Sequence, residues 1–596
     1  MPYEAPIEDM RFVLDEIAGL ESLAQLPGLE EASDDLVDAV LGEAGRLAGE
    51  VLAPLNQGGD REGVSLENGV VRTPKGFVEA YGHFVEGGWN GVTMPADWGG
   101  HGLPYAVGAA TTEMWNAANM SFALCPLLTS GALDLLLAHG SEQQKATYLP
   151  KMVTGQWSGT MNLTEPQAGS DVGALATRAV PEGNRYRITG QKIYITHGEQ
   201  DLSENIVHMV LARIPGAPRG SKGLSLFIVP KFLPNAEGEP GRRNDLRCVS
   251  VEHKLGIHAA PTCVMAYGDA GGAIGFLIGE ENHGMEYMFT MMNAARIEVG
   301  VQGVSIADRA LQQAVRYAKE RRQSRKLGAQ AVDPVTIIEH PDVRHTLTTM
   351  RALSEAGRAL AYAVGGAVDR NRHSQDPEAK AKAQAQEEVL TPVVKAWLTD
   401  MGVQVASLGI QIHGGMGFIE ETGAAQHYRD ARILPIYEGT NGIQALDLVM
   451  RKILRDRGHS LGLVEAWLAD QIERVEQSRA AEVQALRPAL IGALNRLHES
   501  GQWVLGTAGK DLELVAASAT PFLAQMGYAI GGILLGASAA AAARRLEEGV
   551  GDPAFNRRKI KTARFYVDNL LPYAEAEAVR TKTGGVSSEA FQPEDF

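Results

Sequence analysis

Apolar residues recur every three to four positions over most of the chain, and this spacing predicts a largely helical protein. The pattern is clearest in four segments, at residues 33–55, 293–325, 390–414 and 464–500. Ser33, Asp34 and Asp35 begin the first segment with side chains that favour a helix N-terminus. Residues 370–388 interrupt the pattern with a polar run, which predicts a loop followed by a solvated helix start.

Between about residue 159 and residue 280 the helical spacing gives way to short apolar runs separated by turn residues. This change predicts a compact β-domain. Strands are expected in four runs, at residues 205–214, 223–230, 247–256 and 261–269. Residues 185–198 alternate between apolar and polar positions, so a β-hairpin is expected there, with its turn at Thr189 and Gly190.

The two patterns together predict an α+β protein with four regions. Residues 1–158 are expected to form an N-terminal extension and helical domain, and residues 159–280 the β-domain. Residues 281–455 are expected to form a helical bundle, and residues 456–596 an additional C-terminal helical extension. A chain of 596 residues is too long for one hydrophobic core, which agrees with several domains.

One apolar segment, at residues 521–545, is long enough to span a bilayer. It consists mostly of Ala, Gly and Ser, and small residues also allow the helices of soluble proteins to lie close together. Because no second such segment stands out in the sequence, a buried helix and no membrane span are expected. The N-terminal residues lack a basic region followed by an apolar run, so no secretory or transit peptide is expected.

Composition narrows the functional class. Hydrophobic residues make up 45% and charged residues 21% of the chain, which is ordinary for a soluble globular protein. The formal net charge of −17 argues against a nucleic-acid-binding protein, whose phosphate contacts require a basic surface. The three cysteines, Cys125, Cys248 and Cys263, show no metal-ligand spacing, so we expect a reducing cytoplasm, no disulfide framework and no metal site.

Residues 161–174 combine turn residues with hydrogen-bonding groups. Thr164, Gly169 and Ser170 offer hydroxyls and accessible main-chain N–H groups, which can hold a polar heteroaromatic edge or a carbonyl. Taken alone, however, the segment also fits an ordinary surface turn.

Three later segments have a similar character. Residues 192–198 end a predicted strand at Thr196, and residues 410–418 contain a Gly-Gly turn that lets the backbone approach a ligand closely. Residues 428–444 place a carboxylate, Glu438, at the end of an apolar run and just before a helical pattern. This carboxylate fits either a catalytic base or an acid at a helix start.

Taken together, in this order and within an α–β–α pattern, the four segments resemble the acyl-CoA dehydrogenase family over residues 40–455. The longer chain, with its C-terminal extension, is similar to the large-subunit subgroup. The resemblance implies the family's fold, FAD as cofactor, and oxidation of an acyl-CoA to a trans-2-enoyl-CoA. The substrate implied is a fatty acyl-CoA or 3-methylthiopropionyl-CoA. An electron-transfer flavoprotein is implied as electron acceptor, and a homodimer as the assembly.

The resemblance also assigns roles to individual residues, and most of these roles concern FAD. The turn that holds the pyrimidine side of the flavin is matched by Leu163, Thr164, Gly169 and Ser170. Thr196 matches the hydroxyl that hydrogen-bonds flavin N5. Tyr194 stands on the flavin face where a tryptophan is more usual, and it retains an aromatic ring for stacking.

Other FAD contacts are implied farther along the chain. Arg321 matches the arginine that reaches the FAD pyrophosphate of a neighbouring subunit. The loop that cradles FAD from across the dimer is matched by Gln411, Gly414 and Gly415. Thr440, two residues after Glu438, is also expected to contact the cofactor.

The resemblance makes Glu438 the catalytic base, which removes the α-proton of the thioester. Some family members carry the base on the middle helix, but that position is Ala295 here. Glu298 lies near it and out of register, so it is expected to be a helix-surface or interhelix acid. The implied substrate contacts are Ser170, Arg296, Tyr437 and Gly439, and for Arg296 a structural ion pair is the alternative.

Two other functions stay open at this point. An acyl-CoA oxidase would use the same scaffold and let O₂ reach the reduced flavin. A DNA-associated member of the family would use a basic C-terminal extension. Residues 456–596 hold 15 Lys and Arg against 18 Asp and Glu, and the basic cluster at residues 556–564 also fits a solvated helix face or dimer contact.

Overall fold

A computed structural model describes residues 2–328, 330, 333–588 and 590–596. The chain divides into two compact units. The first unit comprises Met1–Ala5, Gly42–Leu103 and Met114–Glu298. The second unit comprises Pro6–Leu41, Pro104–Glu113 and Val299–Phe596.

Helices dominate both ends of the chain, as the apolar spacing predicts. Those before the β-domain are α1 (Ile7–Val13), α2 (Leu20–Leu23), α3 (Asp34–Arg46), α4 (Ala53–Glu62), α5 (Phe77–Glu86), α6 (Tyr105–His139) and α7 (Glu142–Val153). The next group is α8 (Gly284–Glu320), α9 (Pro341–His373), α10 (Pro377–His413), α11 (Ala424–Ala431) and α12 (Asn441–Asp447). The last group is α13 (His459–Gln477), α14 (Ala481–Gln484), α15 (Arg487–Ala508), α16 (Leu512–Ala517), α17 (Ala519–Glu548), α18 (Pro553–Asn569) and α19 (Pro572–Ser588).

The helix prediction is confirmed in most details. The Ser33 hydroxyl accepts a hydrogen bond from the Leu36 N–H at 3.4 Å, so the expected cap at the start of α3 is present. The helix predicted over residues 293–325 is confirmed as far as Glu320, where α8 ends. A loop separates α9 from α10 within the polar run at residues 370–388, as expected.

The β-domain lies entirely in the first unit. Its strands are β3 (Trp157–Asn162), β4 (Arg178–Glu182), β5 (Arg185–Thr196), β6 (Asn205–Arg213), β7 (Leu224–Pro230), β8 (Phe232–Pro234), β9 (Pro240–Arg243), β10 (Leu246–Val251), β11 (Thr262–Tyr267) and β12 (Ala273–Ile278). The main sheet has the order β10-β11-β5-β12-β7-β6-β3, and β4 pairs with both β5 and β6. The four strands expected from the apolar runs are confirmed as β6, β7, β10 and β11.

The expected hairpin at residues 185–198 is wrong, because β5 is one continuous strand. The hairpin instead joins β4 to β5 and pairs Glu182 with Arg185 across its turn. Gly190 lies inside β5, where an added Cβ would come within 2.4 Å of the Thr177 Oγ1 atom. Glycine is therefore needed at this position for the close approach of Thr177, which directly precedes β4, and not for a turn.

The all-helical interpretation of residues 1–158 is wrong at a second hairpin, formed by β1 (Ser65–Glu67) and β2 (Val70–Arg72). Asn68 and Gly69 connect the two strands with φ angles of 52° and 80°. An Asn-Gly pair favours this left-handed conformation, which a tight two-residue turn requires.

Two helices, α6 and α17, are long and apolar enough to cross a membrane by length and composition. The expectation that the segment at residues 521–545 has no counterpart is therefore wrong. The most apolar 18-residue window of each helix is largely buried inside the folded chain, with 83% of its residues buried in α6 and 94% in α17. The expectation of a buried helix at residues 521–545 is confirmed.

A buried cluster of charges joins distant segments of the second unit. Arg358 on α9 hydrogen-bonds the carboxylates of Asp9 and Glu113, with a distance of 3.0 Å from Nε to Glu113 Oε1. Lys559 on α18 lies 2.7 Å from Asp9 and 2.9 Å from Glu355. Since Lys559 is buried, the basic cluster at residues 556–564 is not one continuous solvated face.

Two buried histidines predict an acid-sensitive β-domain. Burial lowers the pKa of His197 to about 4 and that of His208 to about 3. Both pKa values lie below the ordinary histidine value, so the unfolded chain binds protons that the folded chain excludes. The free energy of unfolding should therefore fall as the pH drops from about 6.5 towards 4, by about 1.4 kcal/mol per pH unit for each histidine.

Urea unfolding between pH 7.5 and pH 4.5 measures this slope. The variant His208→Gln keeps a polar group beside Asn162 and Tyr267 and removes one titrating site. The free energy of unfolding of this variant should change less steeply with pH than that of the wild type, by the contribution of about one proton. Equal slopes for the two proteins would contradict the prediction.

Candidate active site

The segment at residues 161–174 begins in the last two residues of β3 and continues as the turn that leads towards β4. Leu163 is buried, Thr164 is half-buried, and Gly169 and Ser170 are exposed. The hydroxyl groups of Thr164 and Ser170 have no hydrogen-bond partner among the described residues. The turn therefore presents polar groups that are available to a ligand.

β5 carries an extra residue close to this turn. The two-residue step from Cys263 to Met265 on β11 faces a three-residue step from Ile195 to Lys192 on β5. This bulge places Tyr194 at a φ of 59° and leaves 59% of its side chain exposed. Positive φ is uncommon for a residue other than glycine, and bulges of this kind redirect side chains next to active sites.

The structure brings the turn and the end of β5 together. The Ile193 N–H donates to the Thr164 carbonyl at 2.9 Å, which ties the turn to the strand. β5 ends at Thr196, as predicted, and its carbonyl accepts a hydrogen bond from the Thr160 hydroxyl at 2.7 Å. The Thr196 hydroxyl has no partner in the part of the chain that the structure describes.

Glu438 lies in the second unit in a strained conformation. Its φ of 55° is followed by a φ of 86° at Gly439. Such a conformation at a non-glycine residue costs of the order of 1–3 kcal/mol and persists only where its surroundings hold it. Here the Gln444 side chain donates to the Glu438 carbonyl at 2.9 Å, and the buried Lys395 ammonium donates to the Gly439 carbonyl at 2.7 Å.

Lys395 and Gln444 are residues that the sequence interpretation missed. Lys395 is fully buried on α10, and its ammonium also binds the Asn441 side chain at 2.9 Å. A signal for it exists in the sequence, because Lys395 is the single charge in the apolar run at residues 389–399. A lone lysine in a buried helix requires a polar partner.

Tyr437 and Thr440 flank the Glu438–Gly439 pair. The Tyr437 hydroxyl donates to the Gln302 side chain on α8, and burial, followed by the nearby Glu438, raises the pKa of Tyr437 above its ordinary value. Thr440 caps α12, since its hydroxyl accepts a hydrogen bond from the Ile443 N–H at 3.4 Å. The substrate role of Tyr437 and the cofactor role of Thr440 stay predictions.

The FAD contacts expected from across a dimer all lie on the surface of the second unit. Arg321 directly follows α8, Gln411 lies in the last turn of α10, and Gly414 and Gly415 follow that helix. All four residues are exposed. A Cβ added at either glycine would meet no atom within 4 Å, so the loop leaves open space beside it.

Arg296 and Glu298 are both buried, so of the two expectations for Glu298 the interhelix acid fits and the helix-surface acid does not. Burial and, after it, the nearby Asp134 raise the pKa of Glu298 well above its ordinary value. Arg296 Nη1 donates to the Asn293 side chain at 3.3 Å, and its guanidinium lies 5.9 Å from the centre of the Phe289 ring. The substrate role of Arg296 and its alternative, a structural ion pair, stay predictions.

The residues of the first unit fit FAD, the cofactor that the resemblance implies. The exposed ring of Tyr194 offers a flat surface for stacking. The unpartnered hydroxyls of Thr164, Ser170 and Thr196 offer donors and acceptors for a polar ring edge. A Cβ added at Gly169 would meet no atom within 4 Å, so the turn leaves room for a ligand.

Family models match most of the chain. The models described as acyl-CoA dehydrogenase N-terminal, middle and C-terminal domains match residues 47–156, 160–270 and 282–454. A fourth model, described as acetyl-CoA dehydrogenase C-terminal like, matches residues 464–592.

Individual relatives match nearly the whole chain. The 3-methylmercaptopropionyl-CoA dehydrogenase of Ruegeria pomeroyi is 51% identical over 586 residues, which cover 98% of this chain and 99% of the relative. A butyryl-CoA dehydrogenase of Syntrophomonas wolfei is 34% identical and covers 96% of this chain and 95% of its own length. The crystal structure of an acyl-CoA dehydrogenase complexed with FAD from Bacillus anthracis has the same fold, with a TM-score of 0.72, 23% identity, and coverage of 96% of this chain and 91% of that one.

Proposed function

Because the chain belongs to the FAD-dependent acyl-CoA dehydrogenase family, we propose that it oxidises 3-methylthiopropionyl-CoA at its α,β bond to the trans-2-enoyl-CoA. This thioester is the same compound as 3-methylmercaptopropionyl-CoA. The observation that carries the proposal is the 51% identity to the Ruegeria pomeroyi enzyme over nearly the full length of both chains. The coarser activity, that of an acyl-CoA dehydrogenase, follows from the family itself.

In this proposal Glu438 is the base. The C–H bond at the α-carbon breaks, and an O–H bond forms at a Glu438 carboxylate oxygen. Hydrogen bonds from Gln444 to the Glu438 carbonyl and from Lys395 to the Gly439 carbonyl fix the backbone at this point. A fixed backbone holds the carboxylate in one direction, which proton transfer requires. The main-chain N–H of Glu438 would donate to the thioester oxygen, and one donor of this kind is worth roughly 2.7–4 kcal/mol.

FAD, when bound, supplies the two-electron acceptor for the hydrogen that leaves the β-carbon. The residues proposed to hold it in the first unit are Leu163, Thr164, Gly169, Ser170, Tyr194 and Thr196. Those proposed in the second unit are Arg321, Gln411, Gly414, Gly415 and Thr440. The substrate contacts proposed are Ser170, Arg296, Tyr437 and Gly439. The protein's own contribution is binding, orientation and exclusion of water.

We also propose a cytoplasmic homodimer that passes its electrons to an electron-transfer flavoprotein. Next to Gly415, the side chains of Met416, Phe418 and Ile419 are 50%, 84% and 46% exposed. Adjacent exposed apolar side chains of this size support burial in a subunit interface. The three cysteines are all free thiols, which supports a reducing compartment. The electron acceptor rests on the resemblance to the family.

A panel of CoA thioesters tests the proposed substrate. The ratio kcat/KM should be greatest for 3-methylthiopropionyl-CoA, with butyryl-CoA at least about tenfold lower because one apolar group fewer fills the acyl pocket. Pentanoyl-CoA is the matched control, since it has a methylene group where the proposed substrate has sulfur. An optimum at butyryl-CoA or at a long-chain thioester would contradict the proposed substrate.

The same enzyme, reduced by substrate without oxygen and then mixed with air, separates a dehydrogenase from an oxidase. Slow reoxidation in air and fast reoxidation by electron-transfer flavoprotein are expected. Rapid formation of hydrogen peroxide would assign the oxidase activity instead.

A further inference from the structure

The first unit contains a buried ion pair that has no place yet in the proposed reaction. Lys192 is 0% exposed and Glu165 is 4% exposed, and 2.8 Å separates the Lys192 Nζ atom from Glu165 Oε1. Transfer of two charges into a protein interior costs several kcal/mol per ion, and their attraction often does no more than offset that cost. The net attraction between the two charges therefore does not by itself explain why this pair is buried, and the groups that it binds do.

Glu165 lies near the start of the turn that follows β3, and its side chain binds the end of that turn. Its carboxylate accepts hydrogen bonds from the Ala176 N–H at 2.6 Å and from the Thr177 N–H at 3.0 Å. The Gln167 side chain donates to the same carboxylate at 2.7 Å. Because residues 165 and 176–177 are eleven to twelve positions apart, the carboxylate closes residues 165–177 into a fixed loop.

Lys192 ties this loop to β5. Besides Glu165, its ammonium binds the Leu163 carbonyl at 2.9 Å. Lys192 stands directly before the bulge at Tyr194 and on the strand that ends at Thr196. The ion pair thus connects the two segments whose side chains are proposed to contact the flavin.

We propose that Lys192 and Glu165 are positioning residues for the cofactor, which hold the turn against β5 in the conformation that binds FAD. Neither side chain needs to touch FAD, because each acts through the backbone that it binds. This inference rests on the proposed role of the turn and of β5 in FAD binding. It gives a role to two buried residues that lie within the motif segments at residues 161–174 and 192–198 but have no role assigned by the resemblance.

Electrostatics favour the charged form of both residues at neutral pH. Burial alone would raise the pKa of Glu165, but Lys192 and the hydrogen bonds lower it to about 2. Burial lowers the pKa of Lys192 to about 8, even though Glu165 opposes this shift. Removal of either partner leaves the other charge buried and unpaired, and this is the costly case.

The test measures release of FAD from the full-length holoenzyme. Lys192→Met and Glu165→Gln should each raise the dissociation constant of FAD by about tenfold or more. The fluorescence of FAD that is released when the holoenzyme is diluted measures this constant. The double variant should lose no more affinity than the weaker-binding single variant, since the two residues act as one unit. The visible circular dichroism of the bound flavin should change in the same variants.

Lys231→Met is the matched control, because Lys231 forms a second buried ion pair in the same β-domain, with Glu199. It contacts none of the residues proposed to bind FAD. Its FAD affinity should stay within about threefold of the wild type, even where its urea midpoint falls as far as that of Lys192→Met. Equal loss of FAD affinity in Lys192→Met and Lys231→Met would overturn the proposal.

Hydrogen exchange covers the case in which Lys192→Met does not fold. Glu165→Gln preserves the size of the side chain, and the amides of Ala176 and Thr177 should exchange faster in it than in the wild type. Unchanged exchange together with unchanged FAD affinity would overturn the proposal, as would failure of both single variants to fold. None of these measurements uses an acyl-CoA, so a wrong substrate or a wrong catalytic base would not affect them.

Discussion

Glu438→Gln is expected to slow the bleaching of the bound flavin by 3-methylthiopropionyl-CoA roughly a thousandfold, while FAD and acyl-CoA stay bound. Glutamine has the same size as glutamate and cannot take up the α-proton. The contacts that hold this residue are made by its own carbonyl, to Gln444, and by the Gly439 carbonyl, to Lys395. The backbone geometry should therefore be the same in the variant, and only the proton acceptor is lost.

Anaerobic stopped-flow absorbance of the flavin measures this rate, and titration with acyl-CoA measures binding. Glu298→Gln is the matched control, because Glu298 is the other acid near the alternative base position at Ala295. Burial raises the pKa of Glu298, which makes the neutral form easier to reach than in a free carboxyl. A neutral amide of the same size should therefore be tolerated, and flavin bleaching in Glu298→Gln should stay within about threefold of the wild-type rate. A near-normal rate in Glu438→Gln, or a large loss confined to Glu298→Gln, would contradict the assigned base.

The helices and most strands could be predicted because their signals are local. A helix such as α13 buries one apolar stripe, and a strand such as β6 has apolar residues along most of its length, so each pattern is visible in a short window. The errors occur where a local signal has two meanings. The sequence predicts a turn at Gly190, but this residue lies inside β5, where Thr177 on the neighbouring segment leaves no room for a Cβ.

In the candidate site, too, features with a local signal could be predicted and features that depend on distant contacts could not. The turn at Thr164 and the strand end at Thr196 are visible as motifs, and the structure brings them together through the Ile193–Thr164 hydrogen bond. Lys192 and Lys395 were missed because each binds a partner that lies far away in the sequence, 27 and 44 residues from it. A single sequence carries no local signal for such a pairing, and a buried lysine only indicates that some partner exists.

Arg358→Met is expected to lower the free energy of unfolding by about 3–5 kcal/mol, because it removes one cation from a buried cluster of carboxylates. In the wild type Arg358 binds Asp9 and Glu113 and lies 3.4 Å from Asp308. Without Arg358, Asp9 keeps its ion pair with Lys559. Glu113 and Asp308 keep only neutral hydrogen-bond donors among the described residues, from Tyr362 and Gln312. The cluster links the N-terminal segment, α9 and α18, so the C-terminal extension should loosen together with the segment that contains Asp9.

Urea unfolding at two pH values gives this prediction a sign as well as a size. Loss of the Arg358 charge raises the pKa values of the neighbouring carboxyls in the folded variant, so that the folded variant binds more protons than the unfolded chain does. Its stability deficit relative to the wild type should therefore shrink as the pH falls from 7.5 to 5.5. Arg564→Met is the exposed control, since Arg564 pairs with Asp568 on the surface of α18 and should contribute less than about 0.5 kcal/mol. A loss below about 1 kcal/mol in Arg358→Met, or a deficit that grows at low pH, would show that the cluster does not hold these segments together.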